Sequence, residues 1–210
     1  MAISCQIMAK YINKYVLLMH MNSENKVFQA YFELKEDKLY FNQIKEYTNL
    51  SNSSLQNILK RLINNNIIEV NKTKSNTFYK IRDKKVFTVK FIEIALEKFN
   101  NLNRGVRIPL QNFLEQIPKD IFTIVLFGSA SKKRERKDSD IDILIVSNIK
   151  HDLTKIKKEV ESISNNPLNL FVCNIDEFIQ SEDHIIIQAR ETGFPIKGEQ
   201  NYYEVVLDEY

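Results

Sequence analysis

The segment between residues 121 and 146 most restricts how this chain can fold. Two apolar runs, IFTIVLF and ILIV, enclose a Gly-Ser pair, a polar spacer and an Asp-Ile-Asp triplet. Apolar runs of this length, bounded by glycine and polar residues, predict two buried strands. Because side chains alternate along a strand, Asp140 and Asp142 share one face while Ile141 and Ile143 point into the core. We therefore expect two carboxylates to converge beside a glycine-serine turn.

This arrangement suits a pair of Mg²⁺ ions held against a nucleoside triphosphate. Carboxylate oxygens are hard ligands of the kind that Mg²⁺ takes in proteins. Two acids on one face can hold two ions, which clamp the attacking and leaving oxygens of a phosphoryl transfer. The glycine of the turn has no Cβ, so the backbone there can approach an anion closely. The segment therefore points to phosphate chemistry.

The Gly-Ser pair, the spacer and Asp-x-Asp together resemble the DNA polymerase beta superfamily of nucleotidyltransferases, in particular its short members, the minimal nucleotidyltransferases. The resemblance covers roughly residues 121–203. It implies an α+β fold with a small mixed sheet flanked by helices, and Mg²⁺-dependent transfer of a nucleoside monophosphate from a nucleoside triphosphate to a hydroxyl acceptor. Carried over to matching positions, it implies that Gly128 and Ser129 contact the triphosphate, and that Asp140 and Asp142 bind metal and carry catalysis.

One departure from that family lies on the next predicted strand, PLNLFVCN. Family members usually carry a third acid there, which helps to hold a metal and accepts the proton of the attacking hydroxyl, whereas this chain has Asn169. Asparagine can bind a metal through its carbonyl oxygen but cannot act as a general base. Asp176 and Glu177 follow the strand as alternative acids at a different spacing. The resemblance thus implies Asn169 as a metal ligand and a weakened or lost transferase activity.

A second departure is the basic run KKRERK, which begins at Lys132 and includes Lys133 where many relatives have glycine. If a helix begins near Ser131, its N-terminal amides would point at the triphosphate, and Lys132 or Arg134 would add positive charge. A charge run between a strand and a helix is equally typical of a solvated surface. Both interpretations stay open, and Lys132 is a candidate nucleotide-binding residue.

Residues 25–81 predict three helices followed by a β-hairpin with strands IIEV and TFYKI. In the third helix, which Ser51 or Ser53 can cap, apolar residues recur at helical spacing on one face: Leu55, Ile58, Leu59, Leu62 and Ile63. This order resembles a winged helix-turn-helix domain. We expect that domain to occupy residues 1–104 and the nucleotidyltransferase-like domain to occupy residues 105–210.

A linking helix is predicted at residues 86–102, just before the expected domain boundary. Its apolar residues at three- and four-residue steps are Val89, Ile92, Leu96 and Phe99. This face can join the two domains or pair with its copy in a homodimer. A shorter helix is then expected between Pro109 and Pro118, leading into the sheet.

The polar face of the third predicted helix carries the candidate nucleic-acid-binding residues. They are Ser53, Gln56, Asn57 and Lys60, joined by Lys72 and Lys74 on the hairpin. A recognition helix would place such residues in a DNA groove, with the hairpin lysines on phosphates. Residues 1–104 hold 17 Lys and Arg against 9 Asp and Glu, a balance of +8, whereas residues 105–210 balance at −5. A basic segment suits phosphate binding, although winged helices also dimerise or bind proteins.

Composition bounds the class of protein. With 210 residues, 43% hydrophobic and 27% charged, the chain has room for two small cores. It contains no apolar run near the roughly 18 residues of a transmembrane helix, so we expect no membrane partner. Lys10, Asn13 and Lys14 interrupt the first apolar stretch, which argues against a secretory signal. Cys5 and Cys173 lack the spacing of a disulfide framework, and a cytoplasmic protein is expected.

Three functions remain open at this point. The first is the Mg²⁺-dependent nucleotidyltransferase. The second, favoured by Asn169 and the basic N-terminal half, is a transcriptional regulator that binds double-stranded DNA and whose C-terminal domain binds nucleotide without turnover. The third is an antitoxin, because minimal nucleotidyltransferases are known as partners of HEPN toxins. A nucleoside triphosphate, duplex DNA, a second copy of the chain and a HEPN-type toxin are the candidate partners.

Overall fold

The computed structural model describes residues 23–73, 76–132, 139–164 and 166–208. Lys74 and the greater part of the basic run, residues 133–138, lie outside these ranges. The described residues form two compact units, residues 23–94 and residues 95–208. The division falls within a helix, and the domain boundary expected after residue 104 stays a prediction.

The first unit contains three helices, a three-stranded sheet and the beginning of a fourth helix. The elements are α1 (Ser23–Leu34), β1 (Lys38–Tyr40), α2 (Phe41–Thr48), α3 (Asn52–Asn64), β2 (Ile68–Lys72), β3 (Thr77–Ile81) and α4 (Lys84–Asn100). The sheet is antiparallel with strand order β1-β3-β2. The three helices and the hairpin agree with the sequence prediction, whereas β1 was not predicted because its three residues are too few to show an alternating pattern.

Helix α3 follows its predicted pattern closely. The hydroxyl of Ser51 accepts a hydrogen bond from the backbone N–H of Ser54 at 3.3 Å and so caps the helix. The buried residues of α3 are Leu55, Ile58, Leu59 and Leu62, which confirms the predicted apolar face. The opposite face is left to solvent.

The apolar face predicted for α4 is wrong. Val89 is 55% exposed and Leu96 is 37% exposed. Phe87 is buried instead, and its ring lies edge-on to Phe28 and Tyr31 of α1 at centroid distances of 5.0 and 5.2 Å. This aromatic cluster decides which side of α4 turns inward, because edge-to-face ring pairs add stability beyond their buried area.

The second unit is built around a four-stranded mixed sheet. After the end of α4 its elements are α5 (Arg104–Gln116), β4 (Thr123–Phe127), α6 (Gly128–Ser131), β5 (Ile141–Val146), α7 (Thr154–Ser162), β6 (Leu168–Cys173), α8 (Ile175–Gln180), α9 (His184–Thr192), β7 (Phe194–Lys197) and α10 (Glu199–Asp208). The strand order is β6-β5-β4-β7, with β5 and β6 parallel and the other two pairs antiparallel. The α+β class with a small mixed sheet flanked by helices is thereby confirmed.

One helix boundary in this unit differs from the prediction. Helix α5 begins at Arg104, so Pro109 lies inside the helix and does not mark its start. Proline fixes φ near the helical value but removes one N–H donor, so its position before a helix is only a preference. Among the described residues, none of the helices combines the length and the apolar composition that crossing a bilayer requires.

Candidate active site

The start of β5 carries the two acids on one face of the sheet. Asp140 directly precedes the strand and is exposed, while Asp142 is its second residue and is half-buried. Ile141 and Ile143 alternate with the acids and are fully buried. The predicted alternation of acids and core residues is confirmed.

Strand pairing brings Asn169 to the same place. In the parallel ladder of β5 and β6, Asp142 is the direct partner of Asn169. The side-chain Nδ2 of Asn169 lies 3.2 Å from Asp140 Oδ2 and 3.3 Å from Asp142 Oδ1. An asparagine amide has two N–H donors, so one side chain bridges both carboxylates. Asp140, Asp142 and Asn169 therefore form one cluster, which we call the acid cluster.

The pKa of Asp142 lies above its usual value. The largest cause is burial, which penalises the charged carboxylate, and the nearby Asp140 raises this pKa further. The hydrogen bond from Asn169 acts in the opposite direction because it stabilises the charged form. The cluster is thus a place where negative charge is crowded and where a cation would relieve that crowding.

The glycine-serine turn lies directly beside these acids. Phe127 pairs with Asp142 in the antiparallel ladder of β4 and β5, and Gly128 follows with a positive φ of 71°. A Cβ atom added at Gly128 would lie 2.3 Å from Asp142 Oδ2. Glycine adopts this positive φ without strain, and any other residue would require the carboxylate or the turn to move. Gly128 therefore borders the two aspartates, and the partly exposed Ser129 follows it in the turn.

A helix begins at Gly128 and ends at Ser131, so the condition of a helix that starts near Ser131 is not met in the described residues. Helix α6 has only four residues. The hydroxyl of Ser131 is buried, and its single O–H lies within hydrogen-bond distance of two carbonyls, those of Gly128 at 2.9 Å and Thr192 at 3.2 Å. Lys132 follows at the exposed end of α6. The structural role of Ser131 in fixing the turn was not predicted from the sequence. The one sequence feature that indicates such a role is the run of small residues Gly-Ser-Ala-Ser directly after a buried strand.

The alternative acids Asp176 and Glu177 lie in the first turn of α8, beyond the far end of β6. Asn169 and Cys173 are four residues apart, which is about 13 Å along an extended strand. Glu177 is also engaged in capping α8, since its carboxylate accepts from the backbone N–H of Asn174 at 2.8 Å. These two acids therefore do not replace a third acid beside Asp140 and Asp142.

The donor set suits Mg²⁺ bound together with a phosphate-bearing ligand. The described residues contain no group of three or more His, Cys, Asp or Glu side chains placed to hold a metal ion by themselves. Magnesium is usually held by one or two carboxylates, with waters and substrate phosphates completing its shell. The two aspartates meet that requirement, and rotating the Asn169 amide would present its carbonyl oxygen in place of the N–H donors now facing them. The residues present thus fit the ion.

The candidate nucleic-acid-binding residues of the first unit lie at the surface. Ser53, Gln56, Asn57 and Lys60 are exposed on α3, and Lys72 is exposed at the end of β2. Arg61, on the same helix, forms an ion pair with Glu24 of α1. The structure leaves the predicted polar face of α3 open to solvent, and DNA binding stays a prediction.

Part of the second unit is similar to a known protein family. A search of the curated proteins finds no similar sequence. Residues 110–193 match the family model described as the nucleotidyltransferase domain. The matched segment contains the turn at Gly128 and all three residues of the acid cluster. Residues 110–193 of this chain are therefore similar to the nucleotidyltransferase domain family, which supports a nucleotidyl transfer activity in general terms.

Proposed function

We propose that the chain is a Mg²⁺-dependent nucleotidyltransferase, which moves a nucleoside monophosphate from a nucleoside triphosphate to a hydroxyl acceptor. The observation that carries the proposal is the convergence of Asp140, Asp142 and Asn169 beside Gly128. It combines a carboxylate pair for a divalent cation with a backbone turn that an anion can approach closely. The family match at residues 110–193 supports the same reaction class.

Each residue has a separate role in this proposal. Asp140 and Asp142 hold the cation, and Asp142 is fixed by the strand while Asp140 stays accessible to solvent. Gly128 lets the backbone pass close to the phosphates, and Ser129 offers a hydroxyl and an amide to them. Lys132 adds positive charge at the exposed end of α6. A bound Mg²⁺ ion would supply Lewis-acid stabilisation of the charge on the phosphate oxygens.

Asn169 limits the rate in this proposal. Its amide positions the two carboxylates by donating to both of them. It has no basic atom, so the acceptor hydroxyl loses its proton to water or to a group brought by the acceptor. Absence of a general base typically costs about 10²- to 10⁴-fold in rate. A slow transferase follows.

Replacing both aspartates, Asp140→Ala with Asp142→Ala, is expected to abolish transfer of label from an α-³²P nucleoside triphosphate. The variant lacks both carboxylates and so has no charged ligand for the cation. The assay should contain Mg²⁺ and each of the four triphosphates, with RNA, protein and small hydroxyl acceptors. A matched control is Asp176→Ala, which removes an exposed acid beyond the far end of β6 and should leave transfer unchanged. Transfer that survives in the double variant would refute the assignment.

We also propose duplex DNA as a partner of the first unit. The exposed polar face of α3 favours it, because Gln56, Asn57 and Lys60 project from one helix that is capped and buried on its other side. Side-chain amides can bond to base edges in the major groove, and lysines neutralise phosphates. Lys72 adds a second positive charge on β2.

The variant Lys60→Ala with Lys72→Ala should weaken duplex binding and reduce its salt dependence. Each lost phosphate contact lowers the slope of log affinity against log salt concentration by about 0.9. Fluorescence anisotropy with a labelled duplex at several salt concentrations measures both quantities. Lys26→Ala, an exposed lysine on α1, is the control. An equal loss in the control, or an unchanged slope in the double variant, would contradict this role for α3 and β2.

A further inference from the structure

The three-stranded sheet of the first unit has a core face and a solvent face. On β1, Leu39 is fully buried while its neighbours Lys38 and Tyr40 are exposed. Cross-strand pairing places Tyr40 opposite Phe78 of β3, and Phe78 opposite Asn71 of β2. We call this solvent side the outer face, and its residues include Lys38, Tyr40, Asn71, Phe78 and Lys80.

Two aromatic rings lie against each other on the outer face, where the end of the edge strand β1 meets the central strand β3. The ring centroids of Tyr40 and Phe78 lie 4.2 Å apart with an interplanar angle of 36°. The Nζ of Lys38 lies 5.8 Å from the Phe78 centroid. The backbone of Tyr40 is held at the start of α2, since its N–H donates to Gln43 Oε1 at 2.8 Å. Tyr40 is nevertheless 36% exposed, so a fixed aromatic surface faces solvent next to a lysine.

A cleft of about 490 Å³ opens beside this ring, within the first unit. Its lining includes Tyr40, Asn42, Asn76, Thr77 and Glu46. Ligand pockets typically measure roughly 300 to 1,000 Å³, so the cleft can admit a group the size of a nucleoside. Exposed asparagine amides offer both donors and acceptors, which is what the edge of a nucleobase requires.

The charges divide the surface into two parts. Glu46 lines the cleft, and its carboxylate repels a phosphate there while it can accept a hydrogen bond from an exocyclic amino group. Lys38 and Lys80 both lie on the outer face. Lys80, however, forms an ion pair with Asp37 at 3.2 Å and stands opposite Glu69 of β2. A base therefore fits the cleft, and a phosphate of its chain fits beside Lys38, whose Nζ lies near an aromatic ring of the outer face.

We propose that the outer face and its cleft bind single-stranded nucleic acid, with one base stacked on Tyr40. Proteins that bind single strands combine an exposed aromatic ring with neighbouring positive charge, because every base has a stacking face. A duplex does not suit this surface, since its bases are already stacked on each other. The site lies in the first unit, so it is an activity beyond the nucleotidyl transfer proposed for the second unit.

The test uses the full-length chain and fluorescein-labelled single strands of twelve thymidines or twelve uridines, followed by anisotropy. Tyr40→Leu removes the ring and should raise the Kd about 5- to 150-fold, the range expected from losing one stacked base. Tyr40→Trp keeps an aromatic surface and should bind at least as tightly as the parent chain. Tyr47→Leu is the matched control, because Tyr47 is a 41% exposed tyrosine on α2, and it should bind like the parent chain.

The remaining outcomes overturn the proposal. They are absence of single-strand binding by the parent chain, unchanged binding after Tyr40→Leu, weak binding by Tyr40→Trp when it is folded by circular dichroism, and an equal loss in Tyr47→Leu. Tighter binding of a labelled duplex with the same dependence on Tyr40 would also overturn it. The variant lacking Asp140 and Asp142 should bind the oligonucleotide normally, so failure of the transferase proposal is distinguishable from failure of this one.

Discussion

Replacing Asn169 by aspartate is expected to raise the rate of nucleotidyl transfer by about 10²- to 10⁴-fold, the usual contribution of a general base. The substitution changes little in shape, and the side chain already lies 3.2 and 3.3 Å from the carboxylates of Asp140 and Asp142. A carboxylate there can accept the proton of the attacking hydroxyl and add a third negative ligand for the cation. Single-turnover label transfer at saturating Mg²⁺ measures the effect.

The same substitution is expected to lower the thermal stability of the protein when no cation is bound. A third carboxylate replaces two N–H donors by a charge, in a cluster where burial already raises the pKa of Asp142. The thermal midpoint of Asn169→Asp should therefore fall without Mg²⁺ and recover as Mg²⁺ is added, because a ligand that binds only the folded state stabilises it. The Asn174→Asp variant is the control, since Asn174 caps α8 through its side-chain oxygen and aspartate caps equally well.

A rate that stays at the parent value in Asn169→Asp, together with the Mg²⁺-dependent recovery of stability, would contradict the idea that a missing base limits turnover. The cation site would then be intact, and chemistry would be limited elsewhere. An equal gain in Asn174→Asp would show that added negative charge acts at a distance from the cluster.

Replacing Gly128 by alanine is expected to reduce label transfer to the background of the double aspartate variant. The added Cβ would lie 2.3 Å from Asp142 Oδ2, so either the turn or the carboxylate must move. The φ of 71° is also unfavourable for alanine by about 1 to 2 kcal/mol. Label transfer and nucleotide binding by equilibrium dialysis measure the two consequences separately.

Gly105→Ala provides the matched control for this substitution. A Cβ at Gly105 would meet only Asn166 Oδ1, at an ordinary contact distance of 3.7 Å, and Gly105 lies within helix α5. Alanine in a helix is more stable than glycine by about 0.5 to 1 kcal/mol, so this variant should keep its activity and melt slightly higher. Full transfer by Gly128→Ala would show that the turn lies outside the reacting site.

The neighbourhood of the acid cluster could be predicted from the sequence because its strands are buried. All five residues of β4 are buried, and in β5 only Asp142 is not. Strands covered on both faces read as nearly continuous apolar runs, so the polar residues that interrupt them are conspicuous. The position of Asn169 beside Asp142 depends on the parallel pairing of β5 with β6. The local sequence pattern does not specify which residues of two strands pair. Only the family resemblance indicated that Asn169 belongs to the site.

Other features depend on contacts that are distant in sequence. Helix α4 carries apolar residues around most of its circumference, and the rings of α1 decide that Phe87 turns inward in place of Val89. The contact between the rings of Tyr40 and Phe78 depends on the pairing of β1 with β3. Periodicity reports which residues can be buried together, but it does not report which partner covers them.

The amide of Asn169 keeps the two aspartates assembled when no cation neutralises them. Under the proposed function, an incoming ion would have to displace those N–H donors, so part of its binding energy would be spent on breaking contacts that already exist. A triphosphate that shares the ion would supply further ligands, and by thermodynamic reciprocity each of the two would then tighten the binding of the other. Occupancy of the site by the magnesium–nucleotide pair would therefore rise more steeply with their joint concentration than with that of either component alone.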